Sequence, residues 1–402
     1  MLPLNDLTHA ERGKYEAALF ASHALRVQIE IQSLEGKPLA DRSKMLLDGQ
    51  VDVDAGADVT RSASLSFYDP DHSLNFDSNS PSDGVLYADR MIQITYGINV
   101  PALGQWVDVP IFTGPVTKLD RSEDVVNVEC QGKEALAGAG DTGVAAWHKL
   151  TLKKGHSKAK AIKEILAELA GETRFDIPEV AANLPHDLSI GGDDSPWRHA
   201  SRLAKSMERQ LFYDGRGVLR LRRPPDNPLF TFRQNHAITA PPQLAFATEQ
   251  MRNTVRVKGG PPKGAKTDDD PDTNTPKKVP GVTASVTAPR QHPLSPWKLA
   301  RNGVPRFLLE VVDNDHIRSN KEAKRVANRV LNDRLEEALD VTLESLVVPH
   351  LDPGDLVRVS TDDLAATFRL RRYTIPLSAG GTMSVGFHKN IPKVNARRIR
   401  RR

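Results

Sequence analysis

PIFTGPVTKLDRSEDVVNVECQGKEAL, residues 110–136, decides the fold. An apolar stretch around Ile111 and Phe112 runs into Gly114, and a second strand follows it. Then Val126, Val128 and Cys130 alternate with Asn127 and Glu129. Alternation at period two sends successive side chains to opposite faces, which marks a half-buried strand. The same pattern recurs upstream in Leu25, Val27, Ile29 and Ile31, in Val51 and Val53, in Ala63, Leu65 and Phe67, and in Ile92, Ile94 and Tyr96. Gly- and Asp-rich turns separate several of these runs. At least six strands with short connections precede residue 132, which predicts an antiparallel sandwich or barrel.

Outward from that block the pattern changes. At the N-terminus Thr8 and Glu11 form a capping box, ahead of an apolar face of Tyr15, Ala18 and Leu19. Between 150 and 215 two helices are predicted. One follows Ser157, with Ile162, Ile165, Leu166 and Leu169 on one face and Gly171 at its end. The other starts at Ser195-Pro196, with an inward face of Trp197, Ala200, Ala204, Met207 and Leu211, and leads into a hairpin turning at Asp214-Gly215. The region reads as a small α+β domain. Residues 224–245 are Pro-rich and read as irregular. A strand is expected at 254–257, a flexible loop at 259–280, and strands at 282–286 and 307–312. A helix capped by Ser319 and Glu322 carries Ala323, Val326, Ala327, Val330 and Leu331, and strands at 341–348, 356–359, 367–375 and 383–387 finish the pattern.

Charge at first suggests nucleic acid, with 55 basic against 51 acidic residues. Five of the bases lie in the last six residues, and without them the balance is 50 to 51. A protein that grips nucleic acid spreads its cations over a face or groove. The single cysteine, Cys130, excludes a disulfide and any zinc site needing two cysteines from one chain, and points to a reducing compartment. No apolar run reaches membrane-span length, and Asp6, Glu11 and Glu16 break up any signal-peptide centre, so stable membrane insertion is not expected.

Motifs that carry chemistry are sparse. Neither G-x-S-x-G nor H-E-x-x-H occurs. Gly259 and Gly264 are spaced as in a phosphate loop, but Ala265 stands where the lysine must be, Lys266 is one place late and no helical pattern follows. Asp69, Asp71, Ser73 and Asp77 have the composition of a calcium loop. Leu74, however, occupies the obligatory glycine position and no Glu closes the loop, so a solvated turn is expected. His156, His186 and His199 fall in separate elements without i, i+4 pairing and are expected at the surface or in loops. Asp193 and Asp194 precede a helix and suit its positive end better than acid–base chemistry. No catalytic, cofactor-binding or metal-ligating residue is therefore assigned, and no cofactor is expected. The tail with Arg397, Arg398, Arg400, Arg401 and Arg402 is the one candidate interaction segment, either a solvated terminus or a contact for an acidic protein or passing DNA. Its removal is expected to leave folding intact.

Five strings in order, LLDGQVDVD at 46–54 with RSASLSFYDP at 61–70, the 110–136 stretch, SPWRHASRLAKSMERQLFYDGRGVLRLRR at 195–223, MRNTVRVKGG at 251–260, and the Ser319 helix followed by LVVPHLDPGDLVRVS at 346–360, resemble the baseplate-hub or tail-tip hub proteins of long-tailed bacteriophages. The nearest variant is the minor tail protein of non-contractile phages, with contractile-phage hubs and the base of VgrG spikes as more distant relatives. The resemblance covers about 25–388 and implies a mainly β chain with an α+β insert: two antiparallel β-barrels like the tail-tube subunit plus a small outer domain, assembled as a ring-shaped homotrimer. The implied division is an N-terminal helical segment 1–23, a first barrel 24–145, the insert 146–240, a second barrel 241–390 that holds loop 259–280 and helix 319–338, and a basic tail 391–402. The implied role is structural and non-enzymatic. The trimer would join the hexameric tube to the distal tip of the virion and form part of the DNA-passage channel, after synthesis in the host cytoplasm. Implied partners are the tail tube, distal tail, tape measure and tip or fibre proteins, with DNA passing and not held. Two alternatives are a tail-associated cell-wall hydrolase, resting on the loose carboxylates Asp193, Asp194, Asp268, Asp269 and Asp270, and a carbohydrate- or receptor-binding tip module, against which stands an aromatic content of 5%.

Overall fold

Helix α1 (His9–Leu19) opens the fold, and both halves of the expected capping box are present. The Glu11 amide donates to the Thr8 hydroxyl at 3.4 Å, and the Thr8 amide donates to the Glu11 carboxylate at 2.8 Å. The computed structural model describes residues 7–74, 85–87, 89–140, 142–246, 251–262, 280–336, 339–362 and 364–389. Tyr15, Ala18 and Leu19 of α1 are buried, as their spacing predicts.

Seven strands follow: β1 (Leu25–Ser33), β2 (Pro38–Asp41), β3 (Leu46–Asp54), β4 (Arg61–Tyr68), β5 (Arg90–Val100), β6 (Gln105–Ser122) and β7 (Val125–Gln131). Their spatial order is β3-β4-β7-β6-β5-β1-β2, with antiparallel neighbours throughout. Strand β6 serves two partners. It pairs with β5 as far as Pro115, opposite Met91, and from Val116 onward it pairs with β7. Gly114 sits at this transfer, where a Cβ would lie 1.9 Å from the Gln131 carbonyl oxygen. Only glycine lets the two backbones approach so closely.

The insert comprises β8 (Leu150–Leu152), α2 (Lys158–Ala170), β9 (Phe175–Asp176), β10 (Leu188–Ile190), α3 (Pro196–Ser206), β11 (Gln210–Tyr213) and β12 (Leu219–Arg222). Ile162, Ile165, Leu166 and Leu169 of α2 share a core with Trp197, Ala200, Leu203 and Ala204 of α3. Gly171 ends α2 at φ 68°, and Ser195 caps α3 by accepting the Arg198 amide at 3.1 Å. Leu203, absent from the expected inward face of α3, is fully buried, whereas Met207 is half-buried.

The rest of the chain supplies β13 (Phe230–Arg233), β14 (Ile238–Phe246), β15 (Thr254–Gly259), β16 (Thr283–Thr287), β17 (Leu309–Asn314), α4 (Asn320–Glu336), β18 (Leu339–Ser345), β19 (Leu356–Ser360), β20 (Ala365–Pro376) and β21 (Met383–Lys389). β13 and β14 lie in the stretch expected to be irregular. The two prolines of β14, Pro241 and Pro242, fall where its register against β18 shifts, in a strand that among the described residues pairs with β18 alone, and this disguised the strand.

The expectation of two barrels is corrected: among the described residues no sheet closes on itself. β3 pairs on its second side with β20, with Ile375 opposite Val51 and Tyr373 opposite Val53. Strands from both halves thereby join one thirteen-stranded sheet, in the order β14-β18-β21-β20-β3-β4-β7-β6-β5-β1-β2, with β19 and then β13 branching from β20. One core spans it and includes Phe67, Phe112 and Val128 from the first half and Phe232, Phe368 and Phe387 from the second. The physical reason is phase: Val51 and Val53 bury the same side as Tyr373 and Ile375, so pairing extends one apolar face. The helix placed within the second barrel stands apart from this sheet. β15 pairs with β16 and β17, and α4 covers one side of that small sheet with Ala323, Val326, Ala327 and Leu331 against Val255 and Val257.

Candidate functional site: a polar sheet face and a buried charged joint

Period-two alternation gives the long sheet two unlike faces. The solvent side of β3, β4, β7 and β6 presents Asp48, Gln50, Asp52, Ser64, Asn127, Glu129 and Asp120. Register places Gln50 beside Ser64, Ser64 beside Glu129, and Asp120 beside Asn127. Ser66 donates to Asn127 at 2.7 Å, and Lys118 is tied to Glu129 at 3.0 Å. Where β3, β20 and β21 meet, the face dips into an open depression of about 370 Å³, lined by Asp52, Asp54, Ser62, Arg372, Thr374 and Ser384. Thr374 donates to Asp52 at 2.5 Å, and Arg371 donates to Asp54 at 3.1 Å. This surface is rich in acids and hydroxyls, and the cations named on it pair with carboxylates or lie beside them.

A charged joint holds the insert and both halves of the sheet together. Arg61 of β4 is 2% exposed and Asp352 is fully buried, with the guanidinium donating to the carboxylate at 2.8 Å. Arg61 also donates to the carbonyls of Tyr213 at 3.3 Å and Ile111 at 3.4 Å, and to the Tyr373 hydroxyl at 3.4 Å. From β12, Arg222 donates to Asp355 at 2.8 Å and to the Pro353 carbonyl at 2.5 Å. Arg220 and Arg222 each stand 3.7 Å from Asp352. Burial works to raise the Asp352 pKa, yet Arg222, Arg61 and Arg220 help hold it down at about 2.

The β11–β12 turn is locked beside this joint. Asp214, fully buried, accepts the amides of Arg216 at 3.0 Å and Val218 at 3.1 Å. Thr113 of β6 donates to the Gly215 carbonyl at 2.9 Å, and a Cβ on Gly215 would lie 2.1 Å from the Pro110 carbonyl oxygen, so the turn lies flush on β6. Lys133 and Glu172 pair at 2.5 Å nearby, with burial pushing the lysine pKa down against the pull of Glu172. Matched and buried in this way, the groups fix one element against another.

The residues singled out from sequence scatter. Asp69 is a turn residue but a buried one: it accepts the amides of Ser73 at 2.8 Å and Leu74 at 3.0 Å and a guanidinium hydrogen of Arg121 at 2.7 Å. Burial favours its neutral form, and these donors outweigh burial and lower its pKa. The solvated-turn expectation is thus corrected at Asp69, while Asp71 and Ser73 are exposed and Asp77 lies outside the described residues. Asp193 is exposed at the start of α3, and Asp194 accepts the Gly191 amide at 3.3 Å and lies 3.5 Å from His199. His156 lies 3.0 Å from Glu164. His186 is half-buried and stacks on His316 with ring centroids 5.4 Å apart, near the seam between the insert and the α4 unit. Burial lowers both pKa values, that of His316 to about 4. Among the described residues no three His, Cys, Asp or Glu side chains are grouped to hold a metal. Cys130 is buried, which pushes its thiol pKa up. Asp268, Asp269, Asp270, Arg397, Arg398, Arg400, Arg401 and Arg402 lie outside the described residues.

Two features escaped the sequence reading. Arg61 had a usable signal, because it shares the inward parity of Ala63, Leu65 and Phe67 and so had to be buried and paired. The exposed rings of Trp297 and Phe307, in edge contact at 6.1 Å, had none: Trp297 sits in a loop, and Phe307 falls just before β17 although the strand is expected to start at 307.

No family model matches the sequence, and no curated protein matches it. In fold the chain is similar to the 43 kDa tail protein of prophage MuSo2 from Shewanella oneidensis, with a TM-score of 0.56 and 13% identity over 91% of this chain and 98% of that one. It is equally similar to the tail protein from Neisseria meningitidis MC58, with a TM-score of 0.56 and 13% identity over 91% and 97% of the two chains. The likeness is one of fold: nearly the whole chain is folded as these tail proteins are.

Proposed function

We propose that this chain is a structural component of a phage tail, a trimeric tail-tip or baseplate hub in which the polar face of the long sheet lines the passage for DNA. The fold likeness to tail proteins is the setting, and the observation that carries the reading is that face. It extends across β20, β3, β4, β7 and β6 without a break in pairing and presents Asp48, Asp52, Asp120 and Glu129 among hydroxyls and amides. Phosphate-binding surfaces gain affinity by releasing counterions from clustered Lys and Arg. On this wall Lys118 and Arg371 are already paired with Glu129 and Asp54 and Arg372 lies opposite Asp54, so few counterions are released and DNA slides past it. The opposite face is occupied by the core, which leaves the polar face as the one open to a channel.

In this reading three copies close a ring by one repeated interface and meet the end of a hexameric tube. The tail tube, distal tail, tape measure and tip proteins are its neighbours, and the Arg397 to Arg402 tail is a contact for an acidic one. The charged joint serves the same role by making sheet and insert one rigid block, and the reading assigns the chain no reaction. Mass photometry of the purified protein at micromolar concentration tests the assembly. A trimer is expected, together with loss of tails when the gene is disrupted. A stable monomer, with tails assembled normally without the gene, overturns the proposal.

A further inference from the structure

Five of the large apolar side chains that remain exposed fall in one short stretch: Trp297, Val304, Phe307, Leu309 and Val311. Leu309 and Val311 point outward from β17, while Val312 packs toward α4 and Glu310 is held by Arg334 at 2.9 Å. Among the described residues β17 pairs only with β15, so its other edge is open. An exposed apolar edge strand is a template for a further strand, and native chains usually blunt such edges with charge or proline. β17 has no proline, and its one outward charge is Asp313 near the far end. The rim has the opposite sign. Arg256, Lys258, Arg290, Lys298, Arg301 and Arg306 are all exposed, and no Asp or Glu occurs from 281 to 309.

We propose that this face docks an acidic protein segment that adds as a strand beside β17, its alternate apolar side chains resting on Leu309 and Val311 and its carboxylates meeting the cationic rim. Both halves of the recognition are present: an open hydrogen-bonding edge with period-two apolar contacts, and charge complementary to an acidic partner. Nucleic acid fits less well. The Trp297 ring has the Arg290 guanidinium over it at 4.9 Å and the edge contact with Phe307, so it is not a free platform for a base. The inference stands on the β15–β17 unit and does not depend on the tail assignment.

Fluorescence anisotropy with the full-length protein tests it, using labelled peptides of alternating Glu and Val, alternating Lys and Val, and a single-stranded oligonucleotide. The Glu/Val peptide is expected to bind at least about tenfold more tightly than the Lys/Val peptide, and to weaken as salt rises. Val311→Asp, at an exposed position, is expected to weaken it by a further factor of about ten with thermal stability unchanged. The triple change Arg256→Glu, Arg301→Glu, Arg306→Glu is expected to reverse the preference between the two peptides. Equal binding of both peptides, tighter binding of the oligonucleotide, or no saturable binding of the Glu/Val peptide overturns the proposal.

Discussion

Arg61 and Asp352 show how much one buried pair can hold. The guanidinium serves the insert through Tyr213, the first half of the sheet through Ile111, and the second half through Tyr373 and Asp352. Removing one partner leaves the other charged and dry, which typically costs about 3–5 kcal/mol. Asp352→Asn is therefore expected to lower the urea midpoint sharply, and Arg61→Met with Asp352→Leu together to cost less than the two single changes summed; a double loss equal to that sum would show that the charges are not coupled. Two histidines give the fold an acid-labile component. Burial holds the His316 pKa at about 4 and that of His350 at about 3, against an ordinary value of 6.5. Below 6.5 the unfolded chain takes up these protons first, so the stability their neutral rings support is complete above that pH. It drains as pH falls and is lost through about 4 and 3, worth at most roughly 3 kcal/mol for His316. Urea midpoints measured from pH 7.5 down to pH 4.5 are expected to fall, and His316→Gln to flatten the slope.

At the scale of elements, glycines separate structural necessity from mere tolerance. Gly114→Ala forces a Cβ against the Gln131 carbonyl where β6 changes partner, and is expected to cost more than about 2 kcal/mol or to abolish soluble expression. Gly13→Ala, at an exposed position of helix α1 with nothing within 4 Å, is expected to gain about 0.5–1 kcal/mol. Thermal melts of the two variants check both signs. The elements themselves were largely legible. Caps at Thr8, Gly171, Ser195 and Ser319 and the inward parity of β3, β4 and β7 all stood in the residues, because local backbone chemistry decides them. The partner of β20 did not. That a strand near 372 pairs with one near 54 is a matter of matching apolar phases across some 300 residues, and no local pattern announces it. For the same reason the local patterns fit two separate barrels as well as the one sheet that runs through both halves. The site was legible in half: the outward acids of β3 follow from alternation, whereas the open edge of β17 depends on which strands fail to pair.

For the whole molecule, the near-neutral balance of its residues outside the terminal Arg cluster hides a strong separation. One long face is acidic and polar, while the small β15–β17 unit is rimmed with cations and exposed aromatic rings. The proposed ring uses both, with a wall past which DNA slides and a cationic unit that docks an acidic neighbour. Charge reversal on the wall, Asp48→Lys with Asp52→Lys and Glu129→Lys, is expected to leave assembly intact and to slow DNA release from particles, measured by dye accessibility after triggering. The most direct measurement is a cryo-EM reconstruction of tails that contain the protein. The account predicts three copies in a ring, with Asp48, Asp52 and Glu129 facing the central channel. A reconstruction with that face buried against another protein, or with the chain absent from the tail, contradicts it.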